Sequence, residues 1–244
     1  MSTTLTRLIR SGIDVVFPRV CVHCGGAGGD GRLQHLCPRC EQELVVVREP
    51  HCTVCGHPFF GEMAGNRDCP HCVELAPAFN RGKTCILLKG PGRALVHALK
   101  YRQALHVLDD IAVLLAAMPD GAAYVRDAVL VPVPLHPRKL RERGYNQSLL
   151  LAETFVRATG AAAAVRELLC RTVDTESQTH YDRRARQQNL KNAFALASGA
   201  PINPAQRFLL IDDVFTTGST LNACARTLRR AGGLNIDVLT FGHG

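Results

Sequence analysis

The sequence predicts an α/β protein, a parallel β-sheet with helices on both faces, preceded by a small cysteine-rich module. Three observations carry this. Short apolar runs at 128–133, 208–211 and 236–241 alternate with stretches of helical periodicity, as in sheets buried on both sides. Eight of the eleven cysteines fall between Cys21 and Cys72, all in CxxC pairs. One apolar run ends in two aspartates followed by a Thr/Gly/Ser loop, at the strand end where α/β proteins bind ligands.

The bulk numbers bound the problem. A chain of 244 residues has room for one large domain or two modest ones. Hydrophobic residues at 46% and charged residues at 20% are ordinary for a globular protein and exclude a disordered chain. With no tryptophan, the core must be mostly aliphatic. The formal charge of +8 suggests phosphates, nucleic acid or an anionic surface as partners. Eight cysteine thiolates on two divalent zinc ions would remove four of those charges, leaving about +4. The placement of the cations therefore matters more than their sum.

The expected organisation is an N-terminal amphipathic helix over 1–20, a double four-cysteine module over 21–75 and an α/β domain over 81–244. Residues 1–18 carry Leu5, Leu8, Ile9, Ile13, Val16 and Phe17 near helical spacing. Arg10 and Asp14 interrupt them, so no secretory signal is read. No stretch reaches the ~18 apolar residues of a membrane span, and a cytoplasmic location is expected. Residues 74–83, with Pro77, Asn80 and Gly82, read as a linker between modules with separate cores. Strands are expected at 84–88, 128–133, 165–169, 208–211 and 236–241. Helices are expected at 93–101, 106–118, 147–159 and 219–231, the last ended by Gly232 and Gly233. Cys85, Cys170 and Cys224 are isolated and read as packing residues.

The cysteine module is an internal repeat. Cys21-x-x-Cys24-Gly is matched by Cys52-x-x-Cys55-Gly, and Cys37-Pro-x-Cys40 by Cys69-Pro-x-Cys72. Two such knuckles grip one tetrahedral zinc. Two structural zinc ions are therefore expected, with disulfides disfavoured in a chain lacking an export signal. Each unit holding its own ion fits the repeat best, and an interleaved pairing stays open. His23, His35, His51, His57 and His71 lie nearby, but four cysteines already fill each shell. Whether the ribbon touches DNA or a protein partner is also open.

The segment Phe208-Leu-Leu-Ile-Asp212-Asp213-Val-Phe-Thr216-Thr217-Gly218-Ser219-Thr220 is the most informative. The loop's backbone N–H groups and the following helix N terminus make an anion site. Thr216, Thr217, Ser219 and Thr220 add hydroxyls, and Gly218 permits close backbone approach. Asp212 and Asp213, with no evident partner in the sequence, suit ribose hydroxyls or a divalent metal. No Lys-Ser or Lys-Thr follows the glycine, which excludes a Walker loop. A second cluster, Arg138, Lys139, Arg141 and Arg143, lies after the 128–133 strand, with Gly144 to turn the chain and Asn146 to cap the next helix. Arginine there offers bidentate contacts to a pyrophosphate. Residues 175–192, with Arg183, Arg184, Arg186 and Lys191, read as a mobile loop.

The aspartate–threonine segment resembles the phosphoribosyl-pyrophosphate signature of type I phosphoribosyltransferases: an apolar strand, two acids, two residues, then TTGST. The resemblance implies that fold, with Asp212 and Asp213 on ribose hydroxyls, 216–220 on the 5′-phosphate, and Mg²⁺ accompanying the pyrophosphate. The wider chain resembles the ComF family, phosphoribosyltransferase-like proteins linked to DNA uptake in naturally competent bacteria. The segments 131–138 and 141–147, Lys100 in Leu99-Lys100-Tyr101-Arg102 (with Gln103 where the family has glycine), and Arg171, Gln178, Arg183 and Asn189 carry that likeness. It implies phosphoribosyl-pyrophosphate binding, a role in natural transformation, and single-stranded DNA and the competence machinery as partners. Lys100, Arg138, Arg141, Arg143, Asn146 and Arg183 are expected around the pyrophosphate. No residue stands out as general acid or base, and no base-binding hood is evident. An orphan transferase with an unidentified acceptor, and a non-catalytic phosphoribosyl-pyrophosphate sensor, are the alternatives.

Overall fold

The computed structural model describes residues 19–29, 31–61, 65–173 and 193–244. The expected N-terminal helix lies almost wholly outside the described residues, as do the 175–192 loop and Arg183. In chain order the elements are helices α1 (Pro38–Gln42) and α2 (Pro70–Leu75), strand β1 (Gly82–Leu87), and helices α3 (Gly90–Tyr101), α4 (Val107–Ala116) and α5 (Gly121–Val125). Strand β2 (Ala128–Pro132), helices α6 (Pro137–Arg143) and α7 (Gln147–Thr159), and strands β3 (Ala164–Val165), β4 (Leu169–Arg171) and β5 (Phe194–Leu196) follow. Strand β6 (Arg207–Phe215), helix α8 (Ser219–Arg230) and strand β7 (Asn235–His243) complete the described chain.

Five strands form one sheet in the order β1-β7-β6-β2-β3, and every pair in it is parallel. Side chains alternate between its faces with period two. Leu209, Ile211, Leu239 and Phe241 pack with Leu95 and Leu99 of α3, Leu114 of α4 and Phe155 of α7. Phe208, Leu210, Ile236 and Val238 pack on the opposite side with Leu221, Ala225 and Leu228 of α8. This is the expected doubly covered parallel sheet. After β2 the chain moves outward to β3, whereas after β6 it moves the other way to β7. The two directions part between β2 and β6, which makes that crevice the topological switch point.

Several expectations need correction. The 165–169 strand is divided: β3 ends at Val165, and β4 pairs antiparallel with β5 in a separate ribbon. Helix α6 forms where a turn was expected, and α5 forms in a stretch where the sequence pattern indicated no element. Strand β6 does not stop at Ile211 but runs through both aspartates to Phe215. The largest departure concerns the cysteine module, whose buried cysteines and leucines, among the described residues, all join the two cores of the sheet. Leu33, Leu36, Cys21 and Cys40 join the core beneath α3, α4 and α7. Val54, Cys52, Cys55, Cys69, Cys72 and Leu75 join the core beneath α8.

Backbone contacts explain this fusion. Val47 N donates to Cys85 O and Leu87 N to Val45 O, both at 2.9 Å, so the segment between the two cysteine units pairs along the free edge of β1. Gly82 N donates to Thr53 O at 2.9 Å. A Cβ at Gly82 would stand 2.3 Å from Val54 O, so only glycine allows the second unit to sit this close. Buried Asp110 on α4 accepts from Gln34 N (2.7 Å) and His35 N (2.8 Å) of the first unit. The supposed linker is also tied down. Phe79 is buried, Asn80 N donates to Ile236 O at 2.7 Å, and Ala78 N donates to Asn222 Oδ1 at 2.8 Å.

Candidate functional site

The eight knuckle cysteines form two clusters. The sulfurs of Cys21, Cys24, Cys37 and Cys40 lie within 4.8 Å of one another, as do those of Cys52, Cys55, Cys69 and Cys72. Each repeat unit therefore gathers its own four sulfurs, which removes the interleaved pairing. The Cys24–Cys37 and Cys55–Cys69 sulfurs are 3.8 and 3.9 Å apart. A tetrahedron with metal–sulfur bonds of about 2.3 Å has edges of about 3.8 Å, so the sets fit zinc. A disulfide would need about 2.05 Å. The CPxC spelling has a local cause: Cys37 and Cys69 are the N-cap residues of α1 and α2, with proline opening each helix, where its missing N–H is not needed. The backbone N–H of Cys69 points at Cys52 Sγ, 3.3 Å away, an interaction that supports a thiolate. Among the described residues both candidate metal groups consist of four cysteines each.

The second site lies at the switch point. The ladder between β2 and β6 ends at Pro132↔Ile211, whereas β6 and β7 stay paired to Phe215↔His243. Past Ile211 the β2 side of β6 is open, and Asp212 and Asp213 stand at that opening. Neither lacks a partner, contrary to the sequence expectation. Asp213 Oδ2 lies 2.7 Å from Lys100 Nζ, with both side chains largely buried. Asp212 Oδ1 accepts from Ser148 Oγ at 3.0 Å and from Asp213 N at 2.9 Å. Ser148 was not foreseen; its only signal was its position two residues after a helix-capping Asn. Asn146 does cap α7, with Oδ1 accepting from Ser148 N at 3.0 Å and Nδ2 donating to Val133 O at 3.1 Å. Together Asn146 and Ser148 join the loop after β2 to the acids on β6.

Burial and the neighbouring Asp213 charge push the Asp212 carboxyl up to about 7, against the opposing pull of Lys100. For Lys100, burial works to lower its pKa, but the carboxylates, Asp213 foremost, outweigh it and hold it above the ordinary value. Lys100 thus faces the acid pair, where sequence reasoning had set it on the pyrophosphate. Helix α8 begins at Ser219 with Gly218 as N-cap at φ 69°; Ser219 N donates to Thr217 Oγ1 at 3.4 Å, and the next N–H groups of the first turn have no acceptor within the helix. Thr217 Oγ1 and Ser219 Oγ are 2.9 Å apart. Thr216 is exposed, Thr217 and Thr220 are half-buried, and Gly218 and Ser219 are buried.

The basic cluster forms helix α6, directly after β2 and over the same end of the sheet. Arg138 Nε pairs with Glu142 at 3.1 Å. Arg141 and Arg143 fall in the last turn, and Gly144 at φ 86° ends the helix. Arg143 donates to Gln147 Oε1, and its guanidinium lies 5.7 Å from the exposed Tyr101 ring. Arg138 and Arg143 therefore already have protein partners, with Arg143 bridging the helix that carries Lys100 to the N terminus of α7.

The switch-point crevice, the strand-borne acid pair and the Thr/Ser loop define a parallel α/β protein with a candidate anion site at its switch point, here fused to two zinc-ribbon units. A double zinc ribbon domain model matches residues 12–73. The chain is 30% identical over 224 residues to competence protein F of Haemophilus influenzae, covering 89% of this chain and 94% of that protein. It is 31% identical over 220 residues to the DNA utilization protein YhgH of Salmonella typhi, covering 83% and 94%. A solved hypoxanthine phosphoribosyltransferase of Staphylococcus aureus aligns with a TM-score of 0.34 and 14% identity, over 56% of this chain and 62% of that one. The chain belongs to the ComF family. No helix among the described residues is long and apolar enough to cross a membrane.

Proposed function

We propose that this protein binds phosphoribosyl pyrophosphate at the switch-point crevice and acts in DNA uptake, handling single-stranded DNA during natural transformation. The observation that carries the ligand reading is the juxtaposition of a buried acid pair with a Thr/Ser-lined helix N terminus along one strand–loop–helix. An anion and a polyhydroxyl group must be held side by side for both halves to be used. In this reading the N–H groups and hydroxyls of 216–220 hold the 5′-phosphate, and Asp212 and Asp213 accept from the ribose hydroxyls. Lys100 sets the orientation of Asp213, and Ser148 that of Asp212. Arg138, Arg141 and Arg143 of α6 face the pyrophosphate end, with Arg183 as a further donor. Mg²⁺, where it accompanies the ligand, would offset pyrophosphate charge; because Lys100 already neutralises Asp213, the ion would be held chiefly through the ligand's own oxygens.

The DNA reading rests on the ComF relatives and on the cations of α6 beside the exposed Tyr101, a combination suited to backbone charge and base stacking. Titration calorimetry with phosphoribosyl pyrophosphate, with and without Mg²⁺, tests the ligand half. Binding by the wild type and its loss in Thr217→Val would support it, and a silent wild type would overturn it. Transformation frequency of a deletion strain complemented with wild type or with Asp212→Asn/Asp213→Asn tests the cellular half. Pyrophosphate release over a panel of bases identifies turnover if there is any.

A further inference from the structure

Gly218, the N-cap of α8, is enclosed from two sides. A Cβ built on it would stand 2.6 Å from Phe215 Cζ and 2.8 Å from Leu75 Cδ2. Phe215 is the last residue of the acid-bearing strand. Leu75 is the last residue of α2, three positions after Cys72, and is 5% exposed. The turn of the anion loop is thus bounded by a side chain of the second zinc unit.

The contact does not stand alone. The segment leaving α2 follows α8 along its length. Ala76 N donates to Cys72 O at 3.2 Å, and Ala78 N donates to Asn222 Oδ1 at 2.8 Å. Asn222 N in turn donates to Gly218 O at 2.8 Å. At the far end of α8, Arg229 Nη2 donates to Asn80 Oδ1 at 2.9 Å, and Nε donates to Ala78 O. Beneath the loop, the Phe215 ring stacks on His243 at 5.3 Å and 15° and meets the edge of Phe79 at 6.5 Å. His243 rests against His57, two residues past Cys55, at 4.8 Å. The first unit, by contrast, packs on the other core, against α3 and α4.

We propose that the second zinc unit sets the geometry of the anion loop, with Leu75 as the positioning residue and the 76–80 segment as its tether to α8. This rests on the reading of 216–220 as a phosphate site. Anion binding by backbone N–H groups depends on direction as well as distance, and an αL glycine between two packed side chains has few other conformations. The four sulfurs on Cys52, Cys55, Cys69 and Cys72 fit a metal ion, which would anchor α2 and so hold Leu75 against the loop.

The test uses full-length Leu75→Ala, the conservative Leu75→Met, and Val54→Ala. The last truncates a similarly buried side chain of the same zinc unit and the same core, on a residue whose backbone, not its side chain, lies against Gly82 of β1. Zinc content, thermal melting, backbone amide NMR and calorimetry with inorganic phosphate and phosphoribosyl pyrophosphate are measured on each. Leu75→Ala is expected to keep two zinc ions, to shift the Gly218, Ser219 and Thr220 amides without ligand, and to lose about tenfold or more in affinity for both ligands, the scale of one charged hydrogen bond. Leu75→Met should recover affinity, and Val54→Ala should keep wild-type loop shifts and binding. Unmoved loop amides or unchanged affinity in Leu75→Ala would overturn the proposal, as would an equal loss in Val54→Ala. If Leu75→Ala does not fold, Leu75→Val carries the same comparison. A wild type that binds neither ligand sinks the phosphate reading, whereas the ligand-free amide shifts still judge the positioning role separately.

Discussion

Asp212→Asn should make the protein more stable at pH 8 and remove the fall in stability that this one acid imposes between pH 4 and 7, leaving the opposite dependence of His243, which burial lowers to about 4. An unfolded aspartate titrates near 3.9, whereas burial and Asp213 push folded Asp212 up to about 7. Between those values the folded chain holds a proton that the unfolded chain has released. Stability therefore falls as pH rises through this window and levels off above it. Three pH units at 1.36 kcal/mol each set a ceiling of about 4 kcal/mol. Asparagine retains the Oδ1 acceptor for Ser148 Oγ and Asp213 N but carries no charge, so it removes the penalty while keeping both hydrogen bonds. The expected gain at pH 8 is about 1–4 kcal/mol, shrinking toward zero near pH 4. Urea denaturation at half-unit pH intervals on both proteins measures it. Parallel stability curves for wild type and variant from pH 4 to 8 would refute the reasoning. On the proposed ribose-binding reading, the destabilising acid is kept for the ligand, since function and stability commonly trade off at such positions. Phosphoribosyl-pyrophosphate binding should accordingly weaken in the same variant and, in the wild type, strengthen as pH rises through 7.

Other outcomes follow from the same geometry. Lys100→Met should destabilise the protein by about 2–4 kcal/mol at neutral pH, because it leaves Asp213 buried without its cation. Adding Asp213→Asn should recover most of that loss in a double-mutant cycle. Purified protein should contain two zinc ions by elemental analysis. Chelation should melt α8 and the sheet together with the ribbons, visible as loss of helical circular dichroism, since each zinc unit shares a core with the sheet. Binding to single-stranded DNA should weaken steeply with salt, and an affinity indifferent to ionic strength would remove α6 from the interface.

Much of the architecture was legible because it follows from local pattern. The apolar runs ending at Ile211 and Phe241 could only be buried strands, and Gln147–Thr159 has both its cap and its apolar stripe in the sequence. The cysteine sets were legible because a CxxCG and a CPxC knuckle each encode their own turn. What was lost depends on partners distant in sequence. Nothing near Asp213 in sequence indicates Lys100, which lies on α3, or that Ser148 stands over Asp212. The 208–211 strand was ended too early because aspartates usually terminate strands, whereas here Lys100 and Ser148 allow β6 to continue through them. The 74–83 segment read as a linker from Pro77, Asn80 and Gly82. Composition says nothing of the hydrogen bonds from Ala78 to Asn222 and from Asn80 to Ile236 that tie it to the sheet.

The sharing of cores also gives the cysteine module a reason to be where it is. β1 is an edge strand, and a free edge invites pairing with another chain. Val45–Val47 pair antiparallel along that edge, and the two zinc units flank the pairing segment on either side in sequence. So short a stretch has little hold of its own; two metal-stapled anchors keep it in register. One anchor reaches Asp110 on the α4 face and the other reaches Asn222 on the α8 face. A sheet held from both faces by metal sites keeps the loops after β2 and β6 in fixed relation. Those loops carry Asn146 and the Thr/Ser segment 216–220, and the acid pair lies on β6 just before the second of them. The zinc units therefore belong to the scaffold of the crevice, and a role for them in contacting DNA would be added to that one, not substituted for it.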